Sequence, residues 1–374
     1  MPKILHIGDI HLDSPFSLLD VEKSQARRNE LRGTFTSIMM YAKMKKADVV
    51  IIAGDLFDSE FVTRETMSLI VSQFAGNPDC RFVITPGNHD PATPKSAYLK
   101  TKFPENVYIF KNENIEKISF DDIGVDIYGF AYTQEAYEKN PLEKPIETDK
   151  SKINILAAHA DLTNRKSVYC PMKEWDFAVS GFDYVALGHI HAGGEIDKIG
   201  ETYYAYCGCP EGRSFDECGV KGGIFINAEK KDGVLKIDFE RPRFCKKRYE
   251  KTEVDVSGMS TREEALAAIK KAVTENGLGR DTLLRVKLCG VVSPAAAFDA
   301  ESISAQDAGV FYIEVEDLTR PLLDYDELNG DITIKGALFR ELLPKLESRD
   351  EQERKLASLA LKYALAALAG DEIK

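Results

Sequence analysis

Basic charge is what this 374-residue chain most lacks. Lys and Arg number 49 against 61 Asp and Glu, a formal net charge of −12 at pH 7. A free-standing nucleic-acid binder usually has the opposite balance, so autonomous DNA binding is disfavoured, although a local basic groove is not excluded. Cysteine is sparse and scattered. The seven (Cys80, Cys170, Cys207, Cys209, Cys218, Cys245 and Cys289) include no pair at the two-residue spacing of a zinc knuckle or a thioredoxin motif. The odd count and the scatter predict reduced thiols in a cytoplasmic protein, with Cys207, Cys209 and Cys218 read as ordinary thiols rather than a metal site. The longest apolar run, 356–369, is interrupted by Lys362 and is too short to span a bilayer. No signal-peptide pattern precedes the first strand. A membrane partner is therefore not expected. Repeats and low-complexity tracts are also missing. What remains is ordinary globular composition, 44% hydrophobic and 29% charged, in a chain long enough for two or three domains.

The first 240 residues read as a layered α/β domain, a sheet sandwich with helices outside. "KILHI", "ADVVIIAG", "CRFVITPG", "INILAAHA" and "YVALGHIH" predict strands, several of them apolar enough to be buried on both faces. Helices are expected over 22–46, where Gly33 is the main breaker, and over 64–74. "VYIF", "IEKISF" and "VDIYGFAY" predict hairpins or a meander, and "GGIFIN" and "LKIDFE" later short strands. The composition shifts at "RPRFCKKRYEK", 241–251. Beyond it, 251–335 predicts a small α+β module: strand "TEVDVS", a helix to Glu275 opened by a Thr261/Glu264 capping box, then strands "TLLRVKLCG" and "VFYIEVED". A helical tail follows over 338–374, with Pro344 expected to break it early and Gly370 to cap its end.

Chemistry gathers at the strand ends. Asp9 and His11 follow the first strand; "GDLFD" brings Asp55 and Asp58; "GNHD" brings Asn88, His89 and Asp90; His159 closes "NILAAHA"; His189 and His191 stand in "GHIH". Sites in layered α/β proteins form outside the carboxyl ends of strands. Each motif alone is an ordinary polar turn; five strand ends delivering only Asp, Asn and His in one chain argue for a site. Five of the six histidines belong to this set. The sixth, His6, lies inside the first strand, on the face opposite Leu5, Ile7 and Asp9, and is read as structural. If the chain stays extended, the same alternation points Asp9 and His11 one way, and likewise His189 and His191. Carboxylate, amide and imidazole donors suit Mn, Fe or Zn. The missing cysteines argue against structural zinc, and the imidazoles against Mg or Ca. Seven candidate ligands (Asp9, His11, Asp55, Asn88, His159, His189, His191) exceed what one ion needs. Two ions sharing Asp55 would each have four protein contacts and open positions, an arrangement for in-line attack on phosphorus.

In this order, "GDIH", "GDLFD", "GNHD", the His after a strand and "GHIH" resemble the calcineurin-like metallophosphoesterases. The resemblance covers about residues 1–240. Through "HIGDIHLDSPF", "GDLFDS", "GHIHAGGEI" and "GCPEGRSFDECGVKGG" the chain looks like the SbcD-type DNA repair exonucleases, most of all their YhaO-like branch. The module with "VDVSG" and "LLRVKLCG" is similar to their capping domain. Two departures stand out: Gly8 where relatives often carry Ala, and Asp58 where archaeal relatives have a histidine. The resemblance implies one ion on Asp9, His11, Asp55 and His191, and a second on Asp55, Asn88, His159 and His189, typically manganese. It makes His89 the group that stabilises the transition state and protonates the leaving oxygen, with Asp90 placed to orient it.

The metal motifs name no substrate. A DNA exonuclease or endonuclease working with an SMC-like coiled-coil ATPase, a small-molecule or cyclic-nucleotide phosphodiesterase, and a non-catalytic scaffold are all compatible with them. The added module favours the nuclease, and the filled ligand positions disfavour the scaffold. Arg241, Arg243, Lys246, Lys247, Arg248 and Lys251 are either a solvated charged edge or contacts to the DNA backbone; Arg213 in "EGRSF" is a further candidate contact. In the tail, Leu356, Leu359 and Tyr363 lie on one face and Leu361, Leu365 and Leu368 on another. A helix apolar on two faces is buried or partnered, either by its own domain or, as the resemblance implies, by the ATPase. The resemblance also implies a homodimer through helices near 64–74 and 94–102.

Overall fold

Strands of unbroken β-branched residues need cover on both faces, and helices with one apolar stripe supply it. In the computed structural model, which describes residues 1–374 other than 144, 145, 294, 295, 297, 323, 324 and 370–374 and the side chains of 366 and 369, this produces two stacked sheets with helices outside. The chain divides into Met1–Arg248 and Tyr249–Lys374.

In the first unit one six-stranded sheet has the order β12-β11-β1-β2-β3-β4 and the other β5-β6-β7-β8-β10-β9. The first comprises β1 (Lys3–Ile7), β2 (Val49–Ala53), β3 (Arg81–Thr85), β4 (Val107–Ile109), β11 (Ile224–Lys231) and β12 (Val234–Glu240). The second comprises β5 (Glu116–Phe120), β6 (Val125–Gly129), β7 (Ile153–His159), β8 (Tyr184–Gly188), β9 (Asp197–Ile199) and β10 (Thr202–Tyr206). Alternation sorts the strands' two faces. Ile4, Val49, Ile51 and Val83 meet Ile127, Ile155, Ala157 and Ala186 between the sheets. Leu5, Ile7, Val50 and Ile52 face the other way, onto Leu31, Phe35, Ile38 and Ile70 of the covering helices.

Those helices are α1 (Val21–Lys45) and α2 (Arg64–Ala75). Asp20 caps α1 by accepting from Lys23 N, and Thr63 caps α2 through Thr66 N. Gly33 does not interrupt α1. The meander expected of "VYIF", "IEKISF" and "VDIYGFAY" is only partly formed. β5 and β6 are an antiparallel hairpin, but β4 pairs parallel with β3 at the edge of the other sheet, because the helical crossover before it returns the chain to the same side.

In the second unit Arg248–Asp255, Thr282–Cys289 and Tyr312–Asp317 form a three-stranded sheet in that order. The helix Arg262–Glu275 has the expected Thr261/Glu264 capping box and packs Ala265, Ile269 and Val273 into the core with Leu284, Val286 and Val315. Pro344 breaks nothing at once: it sits inside Ile334–Leu346, and the chain leaves the helix two residues later. The last helix is Glu351–Ala369. Its Leu361 and Leu365 pack with Leu328 and Phe339, and Lys362 Nζ donates to Thr319 Oγ1 at 2.9 Å, while Leu356, Leu359 and Tyr363 are 70%, 38% and 44% exposed. Leu361 and Leu365 are thus used internally, whereas Leu356, Leu359 and Tyr363, together with Leu368 of the other face, keep exposed surface. The expected cap at Gly370 lies outside the described residues. No helix among them is long and apolar enough to cross a membrane.

Candidate metal centre

The chain does not become a free loop where β1 and β2 end. Asp9 N donates to Gly54 O at 3.0 Å, His11 N to Asp55 O at 3.0 Å and Leu12 N to Leu56 O at 2.9 Å, so the parallel ladder continues past the strands. Within it Asp9, His11 and Asp55 adopt φ of 49°, 50° and 51°, and His189 one of 96°. The extended backbone expected for Asp9–His11 and His189–His191 is therefore not what aims these side chains. They converge from left-handed conformations that cost about 1–3 kcal/mol each and persist where surrounding structure enforces them. Gly54 (φ +87°) is required as well, since a Cβ there would collide with the His159 ring.

Six of the seven expected ligands converge through close polar contacts. His11 Nε2 and His191 Nε2 face each other at 3.2 Å. Asp9 Oδ1 is 3.9 Å from His191 Nε2. Asp55 Oδ2 lies 3.5 Å from His11 Nε2 and 3.3 Å from His159 Nε2. Asn88 Oδ1 is 2.9 Å from His159 Nε2. His159 Nδ1 is 3.0 Å from Ala53 O, and donating there leaves the Nε2 lone pair directed at Asp55 and Asn88. His189 reaches this second group by ring packing, its centroid 5.1 Å from that of His159 and 5.1 Å from that of Tyr169, and its backbone N donates to Asp9 Oδ1 at 3.0 Å.

This donor set fits two divalent ions. Ring nitrogens 3.2 Å apart repel unless a cation or proton stands between them. Asp55 Oδ2 is shared by both nitrogen clusters, and Asp9, His11 and His191, like Asp9, Asp55 and His159, present ligand atoms within 4.8 Å of one another. The donors are imidazole and oxygen, with no thiol, as transition-metal hydrolases use.

Electrostatics divide the imidazoles: His11 and His189 are held neutral, whereas His159 is held as a cation whose proton a metal ion would have to displace. Burial pushes His11 and His189 down to about 4, which keeps them neutral, as ligands must be. Burial opposes charge on His159, but the Asp55 and Asp9 carboxylates outweigh it and lift His159 to about 9. Burial likewise opposes ionisation of Asp55, yet His159 and His11 hold its carboxyl well below the usual range. Asp9 is raised by burial.

The expected Asp90–His89 pair does not form. Asp90 Oδ1 accepts from Gly87 N at 2.7 Å, and Oδ2 from Phe57 N at 3.1 Å and Tyr98 Oη at 2.5 Å. With both oxygens so engaged, Asp90 staples the "GDLFD" turn to the "GNHD" turn, and burial beside Asp55 raises it to about 7. His89 is exposed. Its Nδ1 lies 3.2 Å from the Asp58 carbonyl and its backbone N donates to Asp55 Oδ1 at 3.0 Å.

Sequence reasoning missed three supports. Glu217 Oε1 sits 2.6 Å from His191 Nδ1; it lies within "SFDECG", but nothing in its spacing sets it apart from other acids. Asp13 in "LDSPF" accepts from Thr63 N at 2.7 Å, Thr66 Oγ1 at 2.6 Å and Arg32 Nη2 at 3.3 Å, tying α1 to the start of α2. Glu211 is buried in an ion pair with Arg27 at 2.8 Å and accepts from Thr34 Oγ1 and the backbone N of Lys246 and Lys247.

The basic candidates divide. Arg213 belongs to the metal centre, with Nη1 2.5 Å from Asp58 Oδ1. Lys247 pairs with Glu30 at 2.9 Å. Arg241 donates to Gly194 O and Lys246 to Ser37 Oγ, yet both remain exposed, as does Arg243; Arg248 is half-buried.

Residues 2–193 match the family model of the calcineurin-like phosphoesterases. The chain is 31% identical over 266 residues to the metallophosphoesterase YhaO of Bacillus subtilis, an alignment covering 68% of this chain and 63% of that one. It is 22% identical over 363 residues to the DNA double-strand break repair protein Mre11 of Methanopyrus kandleri (90% of this chain, 75% of the other). It is 23% identical over 255 residues to the SbcD component of the SbcCD nuclease of Staphylococcus epidermidis (60% and 65%). The alignments thus take in somewhat less than two thirds of the Bacillus and Staphylococcus proteins. With the family model spanning half the chain and its five motifs converging on one centre, this protein belongs to the calcineurin-like metallophosphoesterase family.

Proposed function

We propose that the chain hydrolyses phosphodiester bonds in DNA at a centre of two divalent metal ions, as the nuclease subunit of a DNA repair exonuclease that works with an SMC-like ATPase in the cytoplasm. The observation that carries the two-ion reading is Asp55 Oδ2, 3.5 Å from His11 Nε2 and 3.3 Å from His159 Nε2. One carboxylate oxygen addressed by two imidazoles from separate clusters is what a bridging ligand requires. Asp9, His11, Asp55 and His191 would hold one ion, and Asp55, Asn88, His159 and His189 the other. Manganese suits the donors, with iron or zinc as the other choices. Such ions supply Lewis acidity toward a phosphoryl oxygen and a lowered water pKa. The protein's own part is to fix the imidazole lone pairs and to carry a proton. His89, exposed and anchored at Nδ1 by the Asp58 carbonyl, presents Nε2 to the bound phosphate and protonates the leaving oxygen.

DNA as substrate draws support from the names of the Mre11 and SbcCD relatives and from the exposed Arg241, Arg243 and Lys246. The partly exposed Leu356–Leu359–Tyr363 face would take the ATPase coiled coil, and α2 with the short helix after it a second copy of the chain. The net charge of −12 favours the competing reading, a phosphodiesterase for small molecules. A manganese-dependent assay on single- and double-stranded DNA, run beside a chromogenic phosphodiester, separates the two. Cleavage of the small ester alone would remove DNA as substrate.

A further inference from the structure

His11 and His191 present Nε2 to a common point, 3.2 Å apart, and Nδ1 away from it. Behind each Nδ1 stands a carboxylate: Glu217 Oε1 is hydrogen-bonded to His191 at 2.6 Å, and Asp58 Oδ1 is 3.2 Å from His11 without hydrogen-bond alignment, a charge contact only. Arg213 spans the two. Its Nη1 is 2.5 Å from Asp58 Oδ1, its Nη2 is 3.4 Å from Glu217 Oε1, and its backbone N donates to Glu217 Oε2 at 2.7 Å. The side chains of Asp58, Arg213 and Glu217 are 20%, 16% and 9% exposed, so the bridge is shielded but not sealed.

We propose that Asp58, Arg213 and Glu217 are positioning residues: the Glu217 carboxylate fixes the tautomer and aim of His191, Asp58 holds negative charge beside the His11 ring, and the Arg213 guanidinium locks the two carboxylates together, so that the bridge sets the affinity of the ion position those imidazoles share. This deepens the two-ion reading above and rests on it. A free imidazole exchanges its proton between two nitrogens. A carboxylate on Nδ1 holds the proton there and leaves the Nε2 lone pair for the ion. Two carboxylates side by side would repel each other and splay the rings. The planar guanidinium offsets that repulsion and, as a rigid fork, holds both at a fixed separation, which a lysine's single ammonium does not reproduce. The second position has a different arrangement: His159 is oriented by the Ala53 carbonyl, and Asn88 joins the shared Asp55 as its oxygen donors. The bridge therefore acts on one position and not the other.

The test is titration of the metal-free full chain with manganese by calorimetry, with electron paramagnetic resonance to tell a coupled pair from a single ion. The parent is expected to bind two. Glu217→Gln keeps the side chain's shape and removes its charge. It should weaken one binding step by about 10–100-fold, leave the other unchanged, and replace the pair signal by a single-ion signal at intermediate manganese. Arg213→Gln should weaken the same step, and Arg213→Lys should recover part of the loss. Should Glu217→Gln fail to fold, Asp58→Asn carries the same expectation. Unchanged steps in Glu217→Gln and Arg213→Gln, or equal weakening of both steps, would overturn the proposal while the two-ion reading stands. So would an Arg213→Gln whose only change is a raised KM, since the guanidinium would then belong to the substrate. A parent that binds no manganese would sink both.

Discussion

The Tyr184 hydroxyl lies 2.9 Å from His6 Nδ1 and joins the two sheets through the middle of their shared core. Nε2 of the same ring is 3.2 Å from Leu187 O, so the neutral tautomer donates to the carbonyl and accepts from the hydroxyl. Burial holds His6 down to about 3, against an ordinary value of 6.5. The unfolded chain takes up this proton at higher pH than the folded one. The folding stability linked to His6 is thus fully present above pH 6.5 and is lost progressively as pH falls toward 3, by about 1.4 kcal/mol per pH unit inside that window. Denaturant melts of the metal-free chain between pH 7 and 4 should show a shallower decline for His6→Gln than for the parent. Matching slopes would mean that His6 is not the group responsible.

Asp55→Ala should abolish binding of both ions, and Asn88→Ala should cost only one. Metal analysis after dialysis against limiting manganese reads the difference. Chelation of the parent should stop hydrolysis, and added manganese should restore it. Two ions retained in Asp55→Ala would refute the shared oxygen.

His89→Ala should keep both ions and the parent's melting temperature while kcat on a chromogenic phosphodiester falls about 10²–10⁴-fold. Full activity in the loaded variant would remove His89 from the proton-transfer role.

Arg27→Met should destabilise the chain by about 3–5 kcal/mol, because the Glu211 carboxylate is left buried without its cation. Chemical denaturation checks the magnitude. Since Glu211 also accepts from the backbone of Lys246 and Lys247, the same variant should speed proteolysis within 241–251. A loss below about 1 kcal/mol would show that the backbone donors alone satisfy Glu211.

Arg243→Ala with Lys246→Ala should weaken DNA binding and flatten its dependence on salt, each lost phosphate contact lowering the log–log slope by about one. A slope equal to the parent's would make these residues a solvated edge.

The candidate ligands were legible because each follows a buried apolar run at a strand's carboxyl end. Asp9, Asp55, Asn88, His159 and His191 needed only the rule that sites form beyond strand ends, and His6 only the period of a strand. What stayed hidden depended on long-range contact. Asp90 was adjacent to His89 in sequence and was expected to orient it, but in three dimensions Phe57 N and Tyr98 Oη claim its oxygens. Glu217 serves His191 across 26 residues and Asp13 serves Thr66 across 53; no local pattern marks such pairs. Left-handed φ at non-glycine ligands is likewise unreadable from residue type, since the sheet imposes it.

Asp9, His11 and Leu12 hang from the carbonyls of Gly54, Asp55 and Leu56 as further rungs of the β1–β2 ladder. In mechanical terms the ligand segments are cantilevers cast in one piece with the sheet. Their stiffness is borrowed from Leu5, Val50 and the helices packed on them. A cavity opened there, well away from any ligand atom, should therefore loosen metal binding as well as lower the melting temperature.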